Sequence, residues 1–543
     1  MNLKFFCAAL LCAMAQLVSS SIWAEEAQLS AQTQSVSASN DTIQRFVKAE
    51  FAERRAMLNQ WPGTIEEFDR LVALIDNDEL YRDSVGTTYI LKNNEKLLRY
   101  PDEQVIETWP GDLSQVTLVN TLRKALNFGQ AQAKLKSEES AQRLAAIDIL
   151  ENNLSELNVA QINQLYLHEQ NNKVKQRLAQ LKARLDFESP DVLVQIQAAK
   201  VLTDSNRPEV LALVEQALTQ SNLNPELKAV LVDAKSQIKT RIQASEWAGH
   251  VFSGFSTASI LLLAALGLAI TYGLLGVINM AHGELIMIGA YTTYVVQSLF
   301  KTYLGSYVDW YLIAAIPAAF LVSALIGMLI ERTVIRPLYG RQLETLLATF
   351  GVSLILMQLV RMIFGAQNVE VSNISWLSGG IALSPSLMLP YNRIAIIVFT
   401  VAVLLLLVYL LNKTRFGLFV RAVTQNRQMA RAVGIRSSRI DMLAFGLGSG
   451  LAGLAGCALA QVGNVGPDLG QNYIIDAFLV VVVGGVGQVW GAVLAALGLG
   501  ISGTVLEIGM GAVLAKIILL VLVILFIQKR PQGLFAIKGR FVE

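Results

Sequence analysis

From Gly254 onward the chain alternates long apolar runs with short gaps, and nearly all charges lie in the gaps. A helix needs about 20 predominantly apolar residues to cross a hydrocarbon layer. Runs at 254–277, 283–300, 310–331, 343–364, 393–412, 441–462, 474–489, 491–508 and 513–528 approach or exceed that length. The pattern predicts an all-α polytopic membrane domain of about nine transmembrane helices over 250–530, followed by a tail over 531–543.

Upstream the pattern is different. From Asn127 to Ile242 apolar positions recur at helical spacing, no glycine falls between 130 and 248, and breaks occur at Ser189-Pro190, Asn206-Arg207-Pro208 and Asn224-Pro225. Successive amphipathic helices follow from this. A shift of 52 residues aligns Ala146, Ile149, Leu150, Ile162 and Gln164 with Ala198, Val201, Leu202, Val214 and Gln216. A shift of 53 aligns Val174, Leu178 and Leu185 with Leu227, Leu231 and Ile238. Two stacked helical hairpins of HEAT-like type account for this repeat, because each hairpin needs a neighbour to cover its apolar face. Ahead of them, the runs 87–91, 96–100 and 104–108 are short and partly alternating, with Asn93-Asn94 and Pro101-Asp102 between them, as in a small β-meander.

The first 24 residues carry Lys4, an apolar core from Phe5 to Val18, and Ala24 before Glu25-Glu26. This is the form of a secretory signal peptide, with a core too short to span a bilayer. The domain over 25–245 is then expected outside the cytoplasm, as a docking platform for a periplasmic partner or as a stabilising cap. Cys7 and Cys12 lie within 1–24, which leaves Cys457 alone after cleavage and permits no intramolecular disulfide.

Charge placement orients the membrane domain. The net charge of +2 implies no nucleic-acid surface; what matters is where the cations sit. Arg332 to Arg341, Lys413 to Arg439, and the tail with Lys529, Arg530, Lys538 and Arg540 are the basic connections. Nine crossings from an outside N-terminal domain put all three in the cytoplasm, as cation excess requires. The connection 365–392 then falls outside. The stretch 413–439 holds seven Lys or Arg and no carboxylate, and includes a helix-forming segment ended by Gly434. It suits a loop that protrudes and docks on a cytosolic partner, against the plainer role of setting topology. Glycines four apart, as at Gly446 and Gly450, permit close helix approach and compete with a reading as hinges.

Three stretches together carry a resemblance: Ala269 to Tyr291, Arg421 to Ile435, and Gly463 to Val493. They resemble the membrane permeases of branched-chain amino-acid-type ABC importers, and within them the bacterial urea importer's permease subunit, which has a secreted helical extension. The resemblance implies a transport subunit in the inner membrane, not an enzyme, with a second permease subunit, two cytosolic ATPase subunits and a periplasmic substrate-binding protein as partners. No phosphate-binding GxxxxGK[ST] loop occurs, so ATP binding belongs to another chain, and no cofactor is expected.

The resemblance also implies site residues. Gln428-Met429-Ala430 followed by Gly434 has the spacing of the ABC coupling motif, Glu-Ala-Ala then three residues and Gly, with departures at Gln428 and Met429. ATPase coupling is thus expected of Gln425, Asn426, Gln428, Ala430, Arg431 and Gly434. Asn279, His282 and Glu284, at the turn between the first two spans, are candidates for a gate or for helix caps; His282 lacks companion ligands for a metal. Asn464, Asp468 and Asn472, with Gln471, form a polar rim before Asp476. Urea offers one carbonyl acceptor and four N–H donors, which amide and carboxylate groups satisfy. Short-chain amides or branched-chain amino acids are the alternative solutes, and a membrane scaffold without transport is another class. An intramembrane hydrolase built on Ser449 and His282 lacks a supporting GxSxG motif.

Overall fold

A computed structural model describes residues 42–535 apart from 60, 85–86, 93–95, 101–103, 107–109, 152–153, 155–156, 158, 188, 221–222 and 277–278. The expected signal peptide, 1–24, and the tail beyond 535 lie outside the described residues. The chain divides into two compact units, one reaching Ile238 and the other running on from Lys239.

The first unit opens with α1 (42–48), α2 (Phe51–Asn59) and α3 (Ile65–Asp76). Strands β1 (Leu80–Arg82), β2 (Thr88–Lys92), β3 (Lys96–Arg99), β4 (Gln104–Val105) and β5 (Ser114–Gln115) follow. They form one antiparallel sheet in the order β4-β3-β2-β1-β5. The predicted meander corresponds to β2, β3 and β4. The flanking strands β1 and β5, of three and two residues, are too short to show an alternating pattern. Phe46, Phe68, Leu80, Ile90 and Tyr100 meet in the core of this region.

Helices α4 (Asn120–Lys134), α5 (Ser140–Leu150), α6 (Val159–His168), α7 (Asn172–Asp186), α8 (Val192–Leu202) and α9 (Pro208–Leu218) come next, and α10 (Pro225–Leu275) carries residues of both units. Local chemistry sets their starts. Pro208 and Pro225 are first residues, where a missing N–H costs nothing. The Asn171 and Asp191 side chains accept from the backbone N–H groups of the first turns of α7 and α8. The aligned repeat positions Ala146, Leu150, Ile162, Val174 and Leu178 are buried, and so are their counterparts Ala198, Leu202, Val214, Leu227 and Leu231. Burial at matching positions is the physical content of the repeat. Val201, aligned with half-buried Ile149, is exposed and marks where the copies diverge.

The second unit contains most of α10, then α11 (His282–Tyr303), α12 (Tyr311–Ile330), α13 (Gln342–Phe364), α14 (Tyr391–Lys413), α15 (Arg415–Gln425), α16 (Arg427–Ala432), α17 (Ser437–Ala460), α18 (Leu469–Gly484), α19 (Val489–Met510) and α20 (Ala512–Lys529). Among the described residues, seven helices are long and apolar enough to cross a membrane: α10, α12, α13, α14, α17, α19 and α20. The count of nine adds α11 and α18. α11 has the length but carries polar groups along it, and α18, at 16 residues, begins at Leu469 and spans only about 24 Å at 1.5 Å per residue.

Small residues draw the helices together. A Cβ at Gly289 would overlap the Gly453 backbone, one at Gly456 the Ile286 carbonyl, and one at Gly267 the Gly448 carbonyl. At Gly450 it would strike the Phe320 ring and at Gly446 the Met328 side chain. All of these lie inside unbroken helices, so contact packing accounts for them without a hinge. The connection 365–392 is ordered: β6 (Gly380–Ser384) pairs with β7 (Leu387–Pro390), and Val369 bridges to Val465. Its Ser372 exchanges two hydrogen bonds with the Gln297 carboxamide, and its carbonyl also accepts from the Tyr311 hydroxyl at 2.9 Å.

Candidate functional site

The basic loop is a pair of short helices with a defined end. Asn426 leaves the helical conformation between α15 and α16, and its side chain accepts from the Met429 N–H at 2.9 Å, capping α16. At the other end Gly434 takes φ +89°. The Gly434 N–H donates to Arg431 and the Ile435 N–H to Ala430, the paired bonds of a Schellman closure. Ala430 packs inward with Val423, Ile440 and Ile435, and the Arg431 guanidinium donates to the Ser437 hydroxyl at 2.8 Å. Gln425, Gln428, Met429 and Val433 face outward. The six candidate residues therefore divide: Gln425 and Gln428 offer surface, while Asn426, Ala430, Arg431 and Gly434 shape and brace the helix that presents it.

Behind that helix lies a ring of contacts, closed through one turn of the α17 backbone, that no motif records. Arg427 pairs with Asp441 of α17 and lies over the Tyr339 ring, 4.6 Å from its centroid. The Tyr339 hydroxyl donates to Glu331 at 2.8 Å. Glu331 accepts two bonds from Arg336, at 2.9 and 3.2 Å, and Arg336 also donates to the Ser438 carbonyl at the start of α17. Glu331 and Asp441 are buried, and two guanidinium groups balance them, which is what allows the charges to remain there. Burial, with the Asp441 and Glu331 carboxylates beside it, pushes the Tyr339 phenol up, so it stays a donor. The available signal was weak: Glu331 and Asp441 are carboxylates at the ends of apolar runs whose neighbouring loops are basic.

Asn279, His282 and Glu284 are all buried. The Asn279 side chain accepts from the Ala281 N–H at 3.1 Å, a local turn bond of the capping kind. The His282 Nε2 lies 3.0 Å from the Ala264 carbonyl and ties the start of α11 to α10. One Glu284 oxygen accepts from Ser353 of α13 at 2.9 Å, while its other oxygen, Asn279 Nδ2 and His282 Nδ1 have no hydrogen-bond partner among the described residues. Ser449 Oγ also lacks a partner, so it makes no bond to His282 and the hydrolase reading has no geometry behind it.

Asn464, Asp468 and Asn472 converge. They line a cavity of about 410 Å³ with Asn368, Arg393 and Tyr473, beside Ser256 and Thr257 of α10. Asp468 Oδ1 lies 2.5 Å from Arg361 of α13, so the carboxylate at the rim is already paired. Lys516 reaches the Asn472 carbonyl at 3.4 Å and Asp476 at 3.5 Å. Asn368 and Arg393 come from sequence distant from the rim, and only the folded chain adds them to it.

A unit of long apolar helices with a capped basic loop helix and a polar cavity agrees with the comparisons. The family described as branched-chain amino acid transport system, permease component, matches residues 250–527. The chain belongs to that permease family. It is 31% identical over 291 residues to the high-affinity branched-chain amino acid transport permease BraD of Pseudomonas aeruginosa, covering 52% of this chain and 94% of that one. It is 29% identical over 291 residues to LivH of Escherichia coli K12, with the same coverage. An autoinducer 2 import permease, LsrC of Salmonella paratyphi B, is 37% identical over 105 residues, 18% of this chain and 30% of that protein. No solved structure matches. The family match begins at residue 250, so in this permease it does not extend over the polar unit.

Proposed function

We propose that this permease is the membrane subunit of an ATP-driven importer and that its solute is urea. The observation that carries the solute is the cavity: three carboxamides, Asn368, Asn464 and Asn472, face it with Tyr473, and its carboxylate Asp468 is neutralised by Arg361. Carboxamides accept from N–H groups and donate to a carbonyl, which matches a neutral diamide without demanding a charge. A second reading, a branched-chain amino acid, is supported by the names of the relatives and by Arg393, a guanidinium on the same wall that a carboxylate would meet.

Outward-facing Gln425, Gln428, Met429 and Val433 on and beside α16 support docking of two cytosolic ATPase subunits, with Asn426, Ala430, Arg431 and Gly434 as its frame. A second permease subunit and a periplasmic binding protein complete the importer. In this reading the chain sits in the inner membrane with 250–530 as its nine-crossing permease core. The signal peptide 1–24 is removed, the HEAT-like unit 25–245 lies in the periplasm, and 531–543 is a cytoplasmic tail. Asn279, His282 and Glu284 belong to the closing region of the path.

Uptake of labelled urea by the reconstituted importer, in competition with unlabelled urea, acetamide and leucine, tests the solute. Saturable uptake of labelled urea that acetamide but not leucine reduces supports the diamide reading, and absence of labelled-urea uptake with saturable uptake of labelled leucine replaces it with the amino acid. Arg361→Ala should weaken uptake while moving stability by less than about 1 kcal/mol, since the pair it breaks is partly exposed.

A further inference from the structure

The helix that faces the ATPases has little apolar attachment of its own. Of α16 only Ala430 is buried, in a small cluster with Val423 and Ile440. Its polar attachments are Arg431, which donates to the Ser437 hydroxyl, and its first residue, Arg427, which enters the ring described above. Followed around, that ring runs from Arg427 to Asp441 on α17, back along one turn of α17 to the Ser438 carbonyl, across to Arg336, to Glu331, and through Tyr339 to Arg427 again. It ties three elements together: the loop helix, the end of α12 and the start of α17.

The place where it meets α12 is irregular. Glu331 begins a π-helical turn, Glu331–Ile335, that widens the end of α12 before a short 3₁₀ turn, Arg336–Leu338. Such wide turns concentrate where function needs a side chain re-aimed. Here the turn lets Glu331 accept both from Arg336, five residues on, and from Tyr339, eight residues on. Beyond this point α12 and α17 are joined by the tight small-residue contacts at Gly327 with Ser449 and at Gly453 with Ala319.

We propose that this ring is the transmission joint of the importer: Arg427 carries displacement of α16 into α12 and α17, and Glu331, Tyr339, Arg336 and Asp441 are positioning residues that make the joint stiff. The inference rests on the reading of α16 as the ATPase docking element and goes beyond it, because it assigns the mechanical link to residues that do not touch the ATPase. A charged, stacked and hydrogen-bonded ring suits this role. Glu331 and Asp441 are buried, Arg336, Tyr339 and Arg427 are half-buried, and each carboxylate is paired with one guanidinium, so loss of either cation leaves a buried carboxylate unpaired.

The test uses the complete importer, with its ATPases and binding protein, in proteoliposomes, and reads solute imported per ATP hydrolysed. Arg427→Ala and Tyr339→Phe should co-purify with the ATPases and hydrolyse ATP, yet import per ATP should fall at least tenfold in the first and several-fold in the second. The reversed pair, Arg427→Asp with Asp441→Arg, should recover part of the ratio that Arg427→Ala loses. An unchanged ratio in assembled Arg427→Ala complexes overturns the proposal. Failure of Arg427→Ala to assemble, with no recovery of uptake in the reversed pair, also overturns it, because the ring would then serve folding alone. If the unmodified complex neither binds ATPases nor imports, the importer reading itself is what fails.

Discussion

Gly283 and Gly470 stand backbone to backbone, each so close that a Cβ on one would enter the carbonyl of the other. Each is the second residue of its helix, Gly283 in α11 and Gly470 in α18, so two helix starts abut inside the membrane unit. Glu284 follows one of them directly and Asp468, paired to Arg361, precedes the other. The contact brings the buried cluster of α11 next to the wall of the polar cavity.

Gly283→Ala or Gly470→Ala should therefore force the two helix starts apart. Overpacking of a tight contact costs about 1–3 kcal/mol. Thermal unfolding in detergent should show a lowered Tm and reduced uptake for either variant. Gly498→Ala is the control, because a Cβ there meets nothing and alanine is the better helix former. An equal Tm for all three would remove the abutting helix starts from the account.

At Gly434 the cost is of a different kind. A Cβ would meet nothing, yet φ is +89°. Left-handed backbone costs an ordinary residue about 1–2 kcal/mol, with Asn among the best tolerated. Gly434→Asn should keep most import, whereas Gly434→Val should unwind the end of α16 and impair ATPase docking. Cross-linking yield between α16 and the ATPase, measured beside uptake, distinguishes the two. Val retaining full yield and full import would show that the turn at Gly434 is dispensable.

In the polar unit Glu151 is buried, with Arg177 3.5 Å away, and its carboxyl is raised to about 7 by burial, against the opposing effect of Arg177 and Arg184. A carboxyl raised on folding contributes stability in full below its unfolded value of 4.5. That contribution is lost as pH rises through about 7. The difference corresponds to about 3 kcal/mol. Hydrogen-exchange protection of α5 and α7, corrected for intrinsic rates, should fall between pH 5 and 7.5 and then level. Glu151→Gln should flatten that slope, and a slope that survives the substitution would assign it to another group.

Removing 25–245 behind an intact signal should leave the permease core inserted and weaken engagement of the binding protein. Affinity for that protein and its stimulation of ATP hydrolysis, compared with and without the unit, decide the matter. Equal values would make the unit a structural cap.

What the sequence determined by itself was whatever depends on neighbours along the chain. Apolar length marked seven helices long enough to span, Pro208 and Pro225 marked helix starts, and Gly434 marked where α16 stops. Each follows from local sterics, backbone hydrogen bonding or solvation. Tertiary structure decided the pairings: Gly283 with Gly470, Arg361 with Asp468, Arg427 with Asp441 and Tyr339, and Asn368 and Arg393 with the rim at Asn464 to Asn472. No periodicity records such partners. A buried charge needs an opposite charge within a few ångströms, but which residue supplies it depends on how distant helices pack, and that was decided where small side chains let their backbones touch.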